Sequence, residues 1–135
     1  MTIRREKTKQ HFLMGDSLPA YKDLTGYQYC MVAITGAAAN AGATITSPTG
    51  QGAIVYGVLQ LEVTAAGDMC ELLVRGIAEI KAYEAFNAGS ELTVFDATGR
   101  VEAAASGDYV CAIAREASGG ENHLISATLC GYYKP

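Results

Sequence analysis

Between residues 54 and 82 apolar and polar side chains take turns with a period of two. In "GIAEIKA", residues 76–82, Ala78, Ile80 and Ala82 fall on one side while Glu79 and Lys81 fall on the other, as a half-buried strand requires. In "AIVYGVLQLEV", residues 53–63, Val55, Leu59, Leu61 and Val63 oppose Tyr56, Gln60 and Glu62. "ELTV" and "HLISATLC" repeat the alternation less strictly. Glycines punctuate these runs at gaps of eight to thirteen residues, at Gly57, Gly67, Gly76, Gly89, Gly99, Gly107, Gly119-Gly120 and Gly131. That is the turn rhythm of a sandwich or barrel, and it predicts a mainly-β single domain. One segment departs from it. "AEIKAYEAFNAG", residues 78–89, combines Ala, Glu and Lys with a closing Gly89 and leaves room for one or two short helical turns around residues 82–87.

The stretch "AGSELTVFDATGRVEAAASGDYVCAIARE", residues 88–116, sets an acidic residue or an Arg beside almost every glycine. A catalytic or cation-binding loop would look like this, but so would the corners of a β-structure. In "FDATGRV" Asp96 and Gly99 supply turn chemistry between a strand end and the return strand at Val101, and "ASGDYV" does the same again. The pattern favours turns with solvated side chains. A weak internal repeat points the same way: residues 56–76 and 110–131 each read as strand, polar stretch, small-residue turn and strand. Two such hairpins around one core are expected.

Composition narrows the core. Half of the 135 residues are apolar, much of that alanine, Trp is absent and Phe occurs only at Phe12, Phe86 and Phe95, so small and β-branched side chains must fill the interior. No apolar run approaches the roughly 20 residues of a membrane-spanning helix, and "MTIRREKTKQHF" lacks a signal-peptide core; a soluble protein with no membrane partner is expected. Cys30, Cys70, Cys111 and Cys130 match no zinc spacing and no dense disulfide framework, which favours buried reduced thiols.

Charge divides the chain. Residues 1–10 carry Arg4, Arg5, Lys7 and Lys9 against Glu6, a balance of +3, whereas residues 11–135 sum to −7. An acidic body argues against nucleic acid as the main ligand. Residues 1–26 mix this charge with apolar side chains that follow neither helical nor strand periodicity, so an extended N-terminal arm is expected there, with the β-barrel body over residues 27–135. The candidate contact residues of the arm are Ile3, Arg4, Arg5, Lys7, Lys9, Phe12, Leu13 and Leu18, which would bury themselves on acidic protein ground.

Enzyme readings find little to draw on. His11 and His123 are the only histidines, and neither phosphate-loop motif is present. A trimeric β-enzyme of the dUTPase type is the runner-up on size, but its uracil-binding and Gly-Arg-Ser motifs are missing, since Gly99-Arg100 is followed by Val101. No catalytic residue, cofactor or metal ligand is assigned.

The order "TAAGDMCELLVRGI", "AGSELTVFDATGRVEAA", "GDYVCAIAREASGGE" and "ISATLCG" resembles the small capsid decoration, or cement, proteins of tailed bacteriophages that have a β-barrel body. The resemblance covers roughly residues 50–131. It implies a protein on the outer surface of an expanded head that resists internal DNA pressure, with the major capsid protein as partner, often as a homotrimer, and with no catalytic residues to transfer. Another virion β-module, such as a head fibre base or a tail-associated subunit, is the alternative. Tyr27, Tyr29, Tyr132 and Tyr133 are expected to pack at the barrel rim.

Overall fold

The computed structural model describes residues 14–36 and 42–135. Nine strands run in the order β1 (Met14–Pro19), β2 (Met31–Thr35), β3 (Thr44–Thr46), β4 (Gly57–Leu59), β5 (Met69–Lys81), β6 (Glu91–Val94), β7 (Val101–Ala103), β8 (Tyr109–Ala114) and β9 (Leu124–Tyr133). They form one antiparallel sheet with the spatial order β3-β2-β4-β5-β9-β8-β6-β7, and β1 pairs with β5 off this path. The mainly-β, single-domain expectation holds.

The sheet curls until its end meets its middle. Ala82, just past β5, bridges Val101 of β7, the Tyr83 N–H donates to the Val101 carbonyl at 2.8 Å, and the Met31 N–H donates to the Gly99 carbonyl at 2.8 Å. Inside this curl lies the larger core, built from Ala78 and Ile80 of β5, Ile125 and Ala127 of β9, Ala112 of β8, and Leu92 and Val94 of β6. Each large side chain removed from water here contributes about 1.5–3 kcal/mol before chain entropy is subtracted.

A second core sits beside it. Ala20, Leu24, Val32, Ile45, Leu59, Val63, Cys70 and Leu72 pack together, enclosed by β1, β3, β2, β4 and the first half of β5. Strand β5 serves both. Its alternation is continuous, yet Cys70 and Leu72 face the second core while Ala78 and Ile80 face the first. The change coincides with a change of partners: β5 pairs with β4 as far as Leu73 and with β1 as far as Arg75, then with β9 from Gly76 onward.

Three sequence expectations change. First, residues 82–87 make no helical turn. Their backbone donors are taken by distant strands, Ala82 N–H by the His123 carbonyl at 2.9 Å and Tyr83 N–H by Val101, while Phe86 and Ser118 bridge each other. Second, the alternation in residues 53–63 ends early. Strand β4 stops at Leu59, Leu61 is 44% exposed, and Val58 is buried on the face opposite Leu59. Strand β4 lies between the two cores, so both faces are covered and alternation loses its meaning. Third, of the arm expected over residues 1–26, Met14–Pro19 form strand β1, paired with β5 in the register Leu18 to Cys70, and Ala20 and Leu24 are buried and bridge Ile45 and Val63.

The stretch over residues 88–116 is wall and corner. Asp96 Oδ1 accepts from the Thr98 N–H at 2.9 Å and from the Thr98 hydroxyl, and the Gly99 N–H closes the turn on the Asp96 carbonyl at 3.1 Å. Gly99 has φ +79°, and a methyl group there would collide with the Met31 carbonyl oxygen. Only glycine reconciles this turn with the seam between β7 and β2. The two hairpins of the internal repeat are present as β4 with β5 and β8 with β9, but they do not share the one core expected: Leu59, Cys70 and Leu72 of the first pack in the second core.

Candidate docking surface

Of the arm residues singled out as contacts, Ile3, Arg4, Arg5, Lys7, Lys9, Phe12 and Leu13 lie outside the described residues. Leu18 is described, and it is partly buried against the second core, beside Tyr27, Tyr56 and Val74. Its burial is supplied by the chain itself. The physical reason is the β1 register, which sends Leu18 to the same side as Cys70 and Leu72.

Two concavities stand out on the surface of the described residues. The first, about 430 Å³, is apolar and is lined by Ala33 and Ile34 of β2, Thr49, and residues 53–56 ahead of β4. Ile34 is 46% and Ile54 58% exposed, so two branched aliphatic side chains stand half in water in one hollow. At one end Tyr56 donates its hydroxyl to Asp16 Oδ2 across β5, a bond that pushes the Tyr56 hydroxyl upward in pKa, with burial adding to the shift.

Two residues ahead of Ala53 of this lining, two carboxylates converge on one amide. Gln51 Nε2 donates to Glu102 Oε2 at 3.1 Å and to Asp108 Oδ2 at 3.0 Å, and Asp108 also accepts from the Ala105 N–H at 2.9 Å. Burial pushes the Glu102 carboxyl upward, and the carboxylates of Glu84, Asp108 and Asp96 push the same way against the Gln51 hydrogen bond. Among the described residues the ion pairs are Arg100 with Glu121 and Lys134 with Glu91; neither Glu102 nor Asp108 has a cation within that distance. Gly52 makes the approach possible. It has φ +72°, and a β-carbon there would come within 2.5 Å of Asp108 Oδ1.

The second concavity, about 400 Å³, is polar and is lined by Gly26, Gln28, Glu62, Lys81 and Leu124 with Tyr29 and Asn122. Tyr29 and Asn122, at φ 65° and 64°, are the non-glycine residues with positive φ among those described. Tyr29 has a structural reason for its conformation. Its N–H donates to the Leu59 carbonyl at 2.7 Å and its carbonyl accepts from the Lys81 N–H at 2.9 Å, two bonds that offset a cost of about 1–2 kcal/mol. Glu62 is engaged as well, accepting from the Gly26 N–H at 2.8 Å.

Other groups settle into structural places. Cys30, Cys70 and Cys111 are buried and Cys130 half-buried, all as free thiols; burial pushes the Cys111 thiol up to about 12. His123 Nδ1 accepts from the Gly119 N–H at 2.7 Å. Tyr27 donates to the Ala97 carbonyl at 2.8 Å, Tyr132 donates to Glu91, and Tyr133 meets Tyr109 edge to face at 5.5 Å. Arg100 lies 5.0 Å over the ring of Tyr83, which stacks on Phe95. No group of three or more metal-ligating side chains occurs among the described residues.

The sequence matches no protein-family model and no curated protein. The structure is similar to the N base of head fibre gp8.5 of bacteriophage phi29, with a TM-score of 0.65, across 87% of this chain and 94% of that one. The two share a fold. Sequence identity is 16%, so the likeness is one of fold alone.

Proposed function

We propose that the protein is a structural component of a phage virion, without catalytic activity, that attaches to the outer surface of the capsid. The observation that carries this reading is the fold likeness to a phage head fibre base over nearly the full length of both chains. The described surface supports it: a half-exposed apolar groove on an acidic body suits a protein partner. In the form the sequence resemblance implies, three copies associate and dock on major capsid subunits, and linked contacts raise avidity about 10²–10⁴-fold over one contact. Residues 1–13, with Ile3, Arg4, Arg5, Lys7, Lys9, Phe12 and Leu13, would then add contacts to acidic ground on the shell. A second reading, favoured by the fold likeness, makes the domain the base that anchors a fibre to the head.

Both readings require attachment to a head, and one experiment separates them. Purified protein is mixed with expanded, undecorated heads, sedimented, and the heads are melted. Co-sedimentation with a raised shell melting temperature is expected for a decoration protein. Co-sedimentation with an unchanged melting temperature identifies a fibre base, and no co-sedimentation overturns attachment.

A further inference from the structure

The groove between Ile34 and Ile54 is unusual in combining three features. It is concave and apolar, it exposes two β-branched side chains, and close to its lining in sequence stand two carboxylates that have no ion-pair partner among the described residues. Singly exposed aliphatic residues are ordinary on protein surfaces. Two in one hollow of about 430 Å³ leave a space that a partner's side chains could fill.

The charge has a built geometry. Gln51 gives its amide to Glu102 and Asp108 together, holding two like charges near each other. Gly52, whose missing side chain lets Asp108 approach, is followed directly by Ala53 of the groove lining. At the Tyr56 end stands Asp16. Thus one carboxylate is bonded to a lining residue and another lies against the glycine that precedes the lining, in a body whose residues 11–135 sum to −7. Like charges held together cost free energy until a cation approaches.

We propose that this groove is the capsid-docking face, and that it takes an extended segment of the capsid subunit presenting an aliphatic or aromatic side chain next to a Lys or Arg. The apolar side chain enters between Ile34 and Ile54, and the cation meets Glu102 and Asp108. The assignment rests on the reading of the protein as a head-attached module. The apolar contact supplies most of the affinity and the cation supplies register and salt sensitivity.

The test uses full-length protein on expanded heads at limiting concentration, at low and high salt. Ile54→Asp, at a site 58% exposed and therefore tolerant of a polar side chain, is expected to lower occupancy about tenfold or more at either salt. Glu102→Gln with Asp108→Asn is expected to lower it several-fold at low salt and to converge on wild type at high salt. The double variant keeps both acceptors for Gln51, and thermal melts of the free variants show whether a loss of occupancy comes with a loss of fold. Wild-type occupancy by folded Ile54→Asp overturns the groove as the docking face. Salt-independent loss in the charge variant overturns the cationic partner. Zero-length carbodiimide crosslinks from Lys7 or Lys9 to Glu102 or Asp108 that persist on the heads would assign the groove to residues 1–13 of this protein and overturn the proposal. If wild-type protein fails to attach to any head, the functional reading falls first and takes this assignment with it.

Discussion

Glu102 illustrates how a single side chain sits against the interest of the fold. Its carboxyl is raised, chiefly by burial, above the ordinary value of 4.5, so the ionised form is less favourable in the folded chain than in the unfolded one. Stability from this group is therefore full below the unfolded value and is lost as pH rises through the folded one. Glu102→Gln is expected to melt with wild type near pH 4 and above it at pH 7; a lower melting temperature at pH 7 would show that the Gln51 bond outweighs the burial. Individual residues differ in how far the sequence reveals them. Asp96 and Gly99 are legible, because a turn is a local matter of hydrogen bonds two and three residues away. The pairing of Glu102 with Asp108 through Gln51 is not, because the amide lies 51 and 57 residues from its acceptors and only the curl of the sheet brings them together.

Elements show the same division. Strand β5 was legible over residues 76–82, where one face meets the core and the other meets water. Strand β4 was legible only in part, since a strand covered on both faces has no polar side to alternate with. Strand β1 was not legible at all: "MGDSLP" contains a glycine, a proline and two polar residues, and its strand conformation is imposed by the edge of β5. Its pairing is also the least supported. Strand β5 is paired on both edges at Leu72 and Leu73, whereas β1 has β5 as its ladder partner and an exposed or half-exposed surface along its length. Native-state hydrogen exchange is expected to find the β1 amides opening at lower free energy than those of β5 residues 70–73. Equal protection, reached only through global unfolding, would show that β1 is integral to the second core and not an appended strand.

At the scale of the molecule, fold class was legible because glycine rhythm and alternation are repeated many times over, so errors in single segments average out. The partition into two cores was not, since nothing in a period-two pattern says which interior a side chain enters. Function lay further off still. The sequence pattern resembles capsid decoration proteins, the fold is similar to a head fibre base, and the groove that we assign to docking joins residues from β2, the approach to β4 and the β7–β8 corner. The sharing of β5 between the cores has a consequence for how the chain folds. Neither interior can close until β5 is in place, and once β5 is ordered by one core it presents a prepaid template to the other. Two cores are thereby joined into a single thermodynamic unit. Calorimetry is expected to record one transition, with calorimetric and van't Hoff enthalpies in agreement. Its kinetics should be slow for the chain's length, because the β1–β5, β2–β4 and β5–β9 ladders that close the two cores join residues distant in sequence. Two resolved heat-absorption peaks would mean that the strand can be half folded.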